Sequence, residues 1–447
     1  MSKNIDLKSI DNFKKDVNQD PRLKVIRNAG VRNELTELTM DWDAFRKIDH
    51  SFSNIVEGEM PATNQKSSGR CWGFAGLNLF RIHLGRKYNL KDFQFSQSYF
   101  MFWDKLEKSN YFLNSIIQTA ESSSDSRIIM HLLESPIQDG GQWDMWVNLI
   151  NKYGVVPKSE MPETYQSSQS MRMNRMITRK LREFAKELRY SIENNINNED
   201  LYELKNQMIS TVYKMLVIHL GEPPNNFNWQ TRDKKKNFMR FEGLTPQSFF
   251  KDHVSIDLSN LICLINCPMS DKKYKDIYSV KYLGNVVEGQ PIRYLNAEID
   301  ILKKAAIESI KNDDPVWFGC DVGKYLHRSH GVMDTNLFDF DLFYGTSFSL
   351  DKASRLEYGE SKMTHAMLFT GVDIDSKGVP QKWRVENSWG DRNGEKGFYI
   401  MSDEWFDEYL YEIVVNKKYL QDEYVKLYEE KEAKLLPPWD PMGALAK

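Results

Sequence analysis

The chain has 447 residues, a formal net charge of −3, 41% hydrophobic residues and 13% aromatic residues. This composition can build a large core, and the near-balanced charge makes a nucleic-acid-binding or membrane-surface protein a poor default interpretation. No stretch approaches the roughly 18 apolar residues that a membrane span requires, and the four cysteines lack the spacing of a disulfide framework or a metal site.

Residues 1–60 are polar and charged, with short amphipathic pieces, and we expect them to wrap around the body of the protein. The N-terminus shows no apolar run of the kind that secretory signals carry. Four dispersed cysteines are typical of reduced thiols. We therefore expect a cytoplasmic protein that needs no metal and no cofactor.

A helix is predicted to begin at Cys71. Its buried face is marked by apolar residues at steps of three and four: Trp72, Ala75, Leu79 and Ile82. Peptide dipoles at a helix N-terminus favour a thiolate over a thiol. Gln65 lies six residues before Cys71, so its amide can help to stabilise an oxyanion that forms beside the sulfur.

Aromatic-rich helices are predicted between residues 92 and 155, with a turn at Asp139, Gly140 and Gly141. Glycines allow another chain to approach the backbone closely. The turn is therefore a candidate platform for an extended substrate, and an ordinary surface turn is the alternative.

Long amphipathic helix is predicted from 167 to 221, and Pro223 and Pro224 end it. Its apolar positions are Met171, Met176, Leu181, Phe184 and Leu188, followed by Leu201, Leu204, Met208, Tyr213 and Leu216. This apolar face has to pack against something, which makes the region a candidate for contacts between subunits.

The remainder of the chain is predicted to form short β-strands. Apolar runs bounded by polar residues or glycine occur at 261–265, 316–320, 366–372, 383–387 and 398–401. His365 then precedes one strand and Asn387 ends another. A helical half that carries Cys71 would face a β half that carries His365 and Asn387, with a cleft between them, so we expect an α+β protein.

Four residues in this arrangement have the chemistry of a thiol acyl-transfer site. The Cys71 thiol attacks a carbonyl, His365 holds the proton, Asn387 orients the imidazole, and Gln65 donates to the oxyanion. A resting thiolate–imidazolium pair is expected between Cys71 and His365. Trp389 would cover the bond between Asn387 and His365 and exclude water from it.

Three segments, Gln65–Trp72, Met363–Ala366 and Val385–Gly390, together with the C-terminal sequence, resemble the bleomycin hydrolase and aminopeptidase C branch of papain-like cysteine peptidases. The resemblance extends over about residues 12–447. Ser68 and Arg70 depart from the residues usual in the papain cysteine motif. The resemblance implies a two-lobed papain-like fold, with a helical lobe, a β-barrel-like lobe and a large helical insertion.

The same resemblance divides the chain into five parts. These are an N-terminal extension (1–60), a helical lobe with the nucleophile (61–160), a helical insertion for oligomerisation (161–245), a β-rich lobe (246–435) and a C-terminal arm (436–447). Family members form hexameric barrels with inward-facing sites, so a homohexamer is implied. The C-terminal arm would lie in the cleft with Ala446 and Lys447 in the substrate groove, near Asp139, Gly140, Gly141 and Trp389.

The implied activity is a cysteine aminopeptidase that removes N-terminal residues from peptides through a thioester, and that also hydrolyses bleomycin-type amides. One alternative is an endopeptidase whose C-terminal arm does not reach the cleft. A non-catalytic or nucleic-acid-binding scaffold is disfavoured by the complete set of site residues and by the net charge. A transglutaminase-like enzyme is disfavoured because Asn387 stands where such enzymes use Asp. Peptides are therefore the expected partners, whereas membranes and nucleic acids are not.

Overall fold

The structure is a computed structural model that describes residues 4–446. The N-terminal extension contains four helices and a short strand: α1 (Leu7–Gln19), α2 (Pro21–Gly30), α3 (Leu35–Thr39), α4 (Trp42–Phe45) and β1 (Asn54–Ile55). Every residue of α1 and α2 is exposed or half-buried. Strand β1 pairs with Gly371 and Val372 of the large sheet, so the second half of the extension is what joins the body.

The helical lobe follows, with α5 (Cys71–Lys87), α6 (Gln97–Gln118), α7 (Arg127–Glu134) and α8 (Trp143–Tyr153). Helix α5 begins at Cys71, as predicted. It is buried all round rather than on one face, because it lies between the sheet and the other helices of this lobe. Gly73 and Gly76 permit this packing, since a Cβ at either position would lie 2.4 Å from the ring of Phe100 or Trp146.

The insertion consists of α9 (Tyr165–Ser168) and the long helices α10 (Met171–Glu193) and α11 (Asn198–Leu220), and both long helices pack on α6. The long helices were predicted, but the apolar face of α10 was placed wrongly at its start. Met171 and Met176 are 80% and 50% exposed, whereas Met173 and Ile177 are buried. Steps of five residues rotate away from a helix face, and steps of four stay on it.

The end of the insertion is not helical. Residues 222–245, which the sequence assigned to the helical insertion, contain a hairpin of β2 (Phe227–Arg232) and β3 (Phe238–Leu244). Phe227 and Trp229 are buried against the helical lobe, while Asn228 and Gln230, which alternate with them, are exposed. A short helix α12 (Pro246–Ser248) then runs into a π-helical turn, Phe249–Val254.

The β-rich lobe contains eleven strands of a twelve-stranded sheet, whose remaining strand is β1, and the helices packed around it. The strands are β4 (Leu261–Ile265), β5 (Ile277–Val280), β6 (Tyr294–Asn296), β7 (Val316–Cys320), β8 (Leu326–His327), β9 (Val332–Met333), β10 (His365–Ile374), β11 (Pro380–Glu386), β12 (Phe398–Ser402), β13 (Leu410–Asn416) and β14 (Lys434–Leu436). The helices are α13 (Ile299–Lys311), α14 (Phe340–Tyr344), α15 (Lys352–Glu357), α16 (Asp403–Tyr409) and α17 (Asp422–Glu430). Single 3-10 turns lie at Leu258–Asn260, Lys417–Tyr419 and Pro441–Gly443.

The strand order brings distant parts of the chain together. It runs β14-β5-β6-β4-β13-β7-β10-β11-β12-β9-β8, and β1 pairs with β10. The antiparallel neighbours β10 and β11 place the start of one strand beside the end of the other. Since α5 packs against β10 and β7, Cys71, His365 and Asn387 meet where the two lobes join. The α+β organisation is thus as predicted, and within residues 4–446 no helix is long and apolar enough to cross a membrane.

Candidate active site

Cys71 is fully buried at the first position of α5. Burial raises the pKa of its thiol to about 12, and hydrogen bonds from the backbone amides of Ala366 and Trp72 oppose that rise. Ala366 follows His365 in β10, so the strand that carries the histidine also supplies a donor to the sulfur.

His365 is buried at the first position of β10, opposite Cys320 of β7. Its Nε2 lies 2.9 Å from Oδ1 of Asn387. The backbone N–H of Ser388 also donates to this Oδ1, at 2.7 Å, which fixes the orientation of the amide. Nε2 therefore carries the proton of that bond, and Nδ1 is the nitrogen left free to exchange a proton with the thiol.

The protonation of the pair is set by opposing effects. Burial lowers the pKa of His365 to about 4, and the hydrogen bond to Asn387 raises it. Burial of Cys71 and His365 therefore opposes the expected thiolate–imidazolium pair. The amide donors at the sulfur and the Asn387 oxygen each favour the charged form of their partner. The ion pair stays a prediction.

Trp389 covers this bond on one side. Its ring centroid is 4.8 Å from that of His365, and it is half-buried. The guanidinium of Arg328 lies 4.5 Å from the centroid of the same indole. No local sequence signal marked Arg328, which lies far from Trp389 in the chain.

Gln65 is held by contacts on both ends of its amide. Its Oε1 accepts from Ser388 Oγ at 2.6 Å, and its Nε2 donates to the carbonyl of Ser68 at 2.6 Å. The backbone N–H of Gln65 donates to the Ser388 carbonyl. One amide hydrogen remains for an oxyanion, and its direction is fixed by Ser388, whose role the sequence did not indicate.

The Asp139 carboxylate is occupied by internal partners. It accepts from the Gly69 amide at 2.9 Å and from Asn174 at 2.7 Å, and it pairs with Lys105 at 2.7 Å. Ser170 also donates to it. The Asp139 carboxylate therefore positions the chain around it, and the predicted place of Asp139 in a substrate platform stays a prediction.

Gly140 and Gly141 differ in what they present. The Gly140 carbonyl accepts from Lys108 at 2.6 Å, so it faces the protein. The Gly141 amide donates to the Ala446 carbonyl at 3.1 Å, in an antiparallel bridge. A Cβ on Gly141 would lie 2.5 Å from the Trp72 ring, which explains why glycine is needed beside the nucleophile helix.

The C-terminal arm lies against this strip. Gln142 donates to the Ala444 carbonyl at 2.5 Å, and Ala446 is fully buried. Earlier in the arm, Asp440 pairs with the buried Lys272 at 2.9 Å. Lys447, which the sequence also assigned to the groove, lies outside the described residues.

The remaining cysteines are buried and free. Cys263 donates to the Glu412 carboxylate at 2.9 Å inside the sheet, and Cys267 and Cys320 lie in the same core. Across residues 4–446, no group of three or more His, Cys, Asp or Glu side chains could hold a metal ion.

Comparison with known proteins agrees with this geometry. A model of the peptidase C1-like family matches residues 4–443. Aminopeptidase C of Listeria monocytogenes is 44% identical over 446 residues, covering 100% of both chains, and human bleomycin hydrolase is 43% identical over 439 residues, covering 96% of both. The crystal structure of PepW from Lactobacillus rhamnosis superimposes with a TM-score of 0.98 at 44% identity over 100% of both chains. The predicted papain-like fold is thereby confirmed.

Proposed function

The chain belongs to the peptidase C1-like family and is a cysteine-type aminopeptidase, and we propose that its C-terminal arm restricts it to peptides with free N-termini. The observation that carries this proposal is the bond from the Gly141 amide to the Ala446 carbonyl. The arm takes the place that an extended substrate would take along that strip. Only the first residue of a substrate then fits between the arm and Cys71.

The chemistry follows from the site. Cys71 Sγ attacks the carbonyl of the first residue while its proton moves to Nδ1 of His365. The oxyanion accepts from the remaining Gln65 amide hydrogen and from the Cys71 amide. His365 then protonates the departing amine, the C–N bond breaks, and a thioester remains. A water molecule that gives its proton to His365 hydrolyses this thioester and releases the residue and the thiol.

Charge favours the same substrates. Ala446 is buried beside the Gly141 strip, and a carboxylate carried by the arm at this point would attract the α-ammonium of a peptide. At about 4 Å and an effective dielectric of about 20 the attraction is about 4 kcal/mol before desolvation. An acetylated N-terminus loses this attraction and adds bulk. Bleomycin-type amides with a free amine are proposed as further substrates on the same grounds.

Two broader properties are also proposals. A homohexamer is supported by apolar side chains left exposed on the insertion, such as Met171, Tyr190 and Ile218, which are 80%, 67% and 78% exposed. A cytoplasmic location is supported by the four free cysteines.

The test compares one peptide with a free N-terminus and the same peptide acetylated. We expect rapid release of the first residue from the free peptide only, and no release from either peptide by Cys71→Ala. Comparable cleavage of both peptides by the wild-type protein would favour the endopeptidase instead.

A further inference from the structure

Arg328 lies at the edge of the active site on a well-held loop. The loop joins β8 to β9, and backbone bonds from Gly331 to His327 and from Gly394 to Ser329 close it. The guanidinium lies over the indole of Trp389, which also packs against the rings of His365 and Tyr399. Stacking of this kind limits the freedom of the arginine and leaves its N–H groups available.

The guanidinium is exposed and unpaired. Among the described residues it makes no ion pair and no hydrogen bond, whereas Arg384 and Arg355 of the same lobe pair with Glu59 and Glu408. A planar guanidinium is suited to bind a carboxylate through two parallel hydrogen bonds. Arg328 is therefore a vacant carboxylate-binding group.

Its position corresponds to the leaving side of the scissile bond, an assignment that rests on the proposed function. The arm occupies the strip at Gly141, so a substrate cannot continue in that direction. The leaving amine has to reach His365 to receive its proton. The residues that follow it therefore pass the Trp389 ring, 4.8 Å from the imidazole.

We propose that Arg328 and Trp389 form a subsite for a carboxylate on the leaving part of the substrate. Trp389 packs against the first residue after the scissile bond, and Arg328 binds the carboxylate. That group is either the C-terminus of a short peptide or an acidic side chain. The charge of Arg328 also lowers the pKa of His365, which agrees with its position close to the proton donor.

The experiment measures kcat/KM for four free-amine peptides. The first pair differs only in a C-terminal acid or amide on a dipeptide, and the second has Asp or Asn after the scissile bond in a longer, amidated peptide. We expect at least one acid to be preferred by about fivefold, since a partly exposed pair contributes about 1 kcal/mol. The pair that shows the preference identifies the source of the carboxylate, and added salt should reduce the preference.

Two variants and one control isolate the residue. Arg328→Gln should abolish the preference, and Arg328→Glu should reverse it. Arg32→Gln, which removes the same charge from the exposed turn that follows α2, should retain the preference. No preference in the wild-type protein, or an unchanged preference in Arg328→Gln, would overturn the inference. An acetylated peptide in the same series tests the proposed function separately, because its cleavage reports on the arm and not on Arg328.

Discussion

At the scale of single residues, the decisive contact is the bond between His365 and Asn387. Its direction is fixed by a second donor, the Ser388 amide, on the same oxygen. An amide oxygen holds the imidazole without adding a negative charge, so it can orient the ring in both protonation states. Trp389 packs against the same imidazole and covers one side of this bond.

Asn387→Ala should shift the pH profile as well as slow the reaction. The hydrogen bond raises the pKa of His365, so its loss lowers that pKa. Whichever limb of the kcat/KM profile reports His365 should therefore move to lower pH. We expect activity to fall by about 10- to 100-fold, less than for His365→Ala, because proton transfer is retained. An unchanged profile with full activity would refute the orienting role.

Cys71 should react with iodoacetamide far faster than the other three cysteines. Burial raises the pKa of all four thiols, so the expected difference rests on His365, the base that takes the proton from Cys71, and on the backbone amides that favour the Cys71 thiolate. Peptide mapping of the folded protein after brief labelling measures this. Equal labelling of all four cysteines would contradict the assignment of Cys71 as the activated thiol.

At the scale of elements, Asp139 joins two parts of the helical lobe to the start of the insertion. Its carboxylate binds Gly69 before α5, Lys105 of α6, and Ser170 and Asn174 at the start of α10. Burial alone would raise the pKa of Asp139, but Lys105 and the hydrogen-bond donors hold it well below its ordinary value. The insertion is thereby connected to the segment that precedes Cys71.

Asp139→Asn should destabilise the fold and impair catalysis together. It leaves Lys105 buried without its counter-charge, which costs about 3–5 kcal/mol, and it loosens the Gly141 strip, so KM should rise. The pKa of Asp139 is lower in the folded than in the unfolded protein. Its contribution to the free energy of unfolding is therefore fully present above about pH 4 and is lost as the pH falls through the folded pKa.

Urea unfolding measures the loss, and Glu183→Gln is the matched control. Glu183 pairs with Lys180 on the exposed side of α10, so Glu183→Gln should leave the free energy of unfolding almost unchanged. If Asp139→Asn were as mild as this control, Asp139 would not connect these elements.

Some elements could be predicted because their signal is local. The start of α5 at Cys71 and the core strand β4 follow from short apolar patterns. The buried face of α10 was not predicted correctly at its start. Met171 and Met176 were counted as part of an apolar face, although a step of five residues takes a side chain off the buried face of a helix. The hairpin was missed because its residues were assigned to the helical insertion, although alternating residues flank the turn at Asp233–Lys236.

For the site, the sequence identifies what lies inside short motifs. Cys71, His365, Asn387 and Gln65 are each marked by their neighbours in the chain. Three other contacts join residues that lie far apart in the sequence. They are the hydrogen bond from Ser388 to Gln65, the hydrogen bonds to Asp139, and the packing of Arg328 on Trp389. Nothing local marks such contacts, because the sheet order and lobe packing create them.

At the scale of the whole molecule, the two ends of the chain have different roles. The N-terminal helices α1 and α2 lie exposed, with apolar residues such as Leu7 and Phe13 that are 80% and 56% exposed. The C-terminal arm is instead buried in the cleft through Met442 and Ala446. The exposed apolar surface supports the proposed homohexamer, and the bridge from Ala446 to Gly141 supports the proposed role of the arm in specificity.

We expect a homohexamer in solution. Six chains of 52.5 kDa would give about 315 kDa, and burial of the exposed apolar residues of the insertion and of α1 would drive assembly. Multi-angle light scattering at micromolar concentration measures the mass. A monomer there would refute the assembly, and Met171→Glu, on the exposed face of α10, should weaken it.

The most direct test of the account is removal of residues 443–447. This deletion removes the Ala444 and Ala446 carbonyls that Gln142 and Gly141 bind, while Cys71, His365 and Asn387 remain. The assay follows cleavage of a free and an acetylated peptide, with cleavage sites located by mass spectrometry. We predict that the truncated enzyme cleaves both peptides and cuts at internal bonds, at a rate that still depends on Cys71. A truncated enzyme that still cuts only at free N-termini would contradict the central claim that the C-terminal arm sets the specificity.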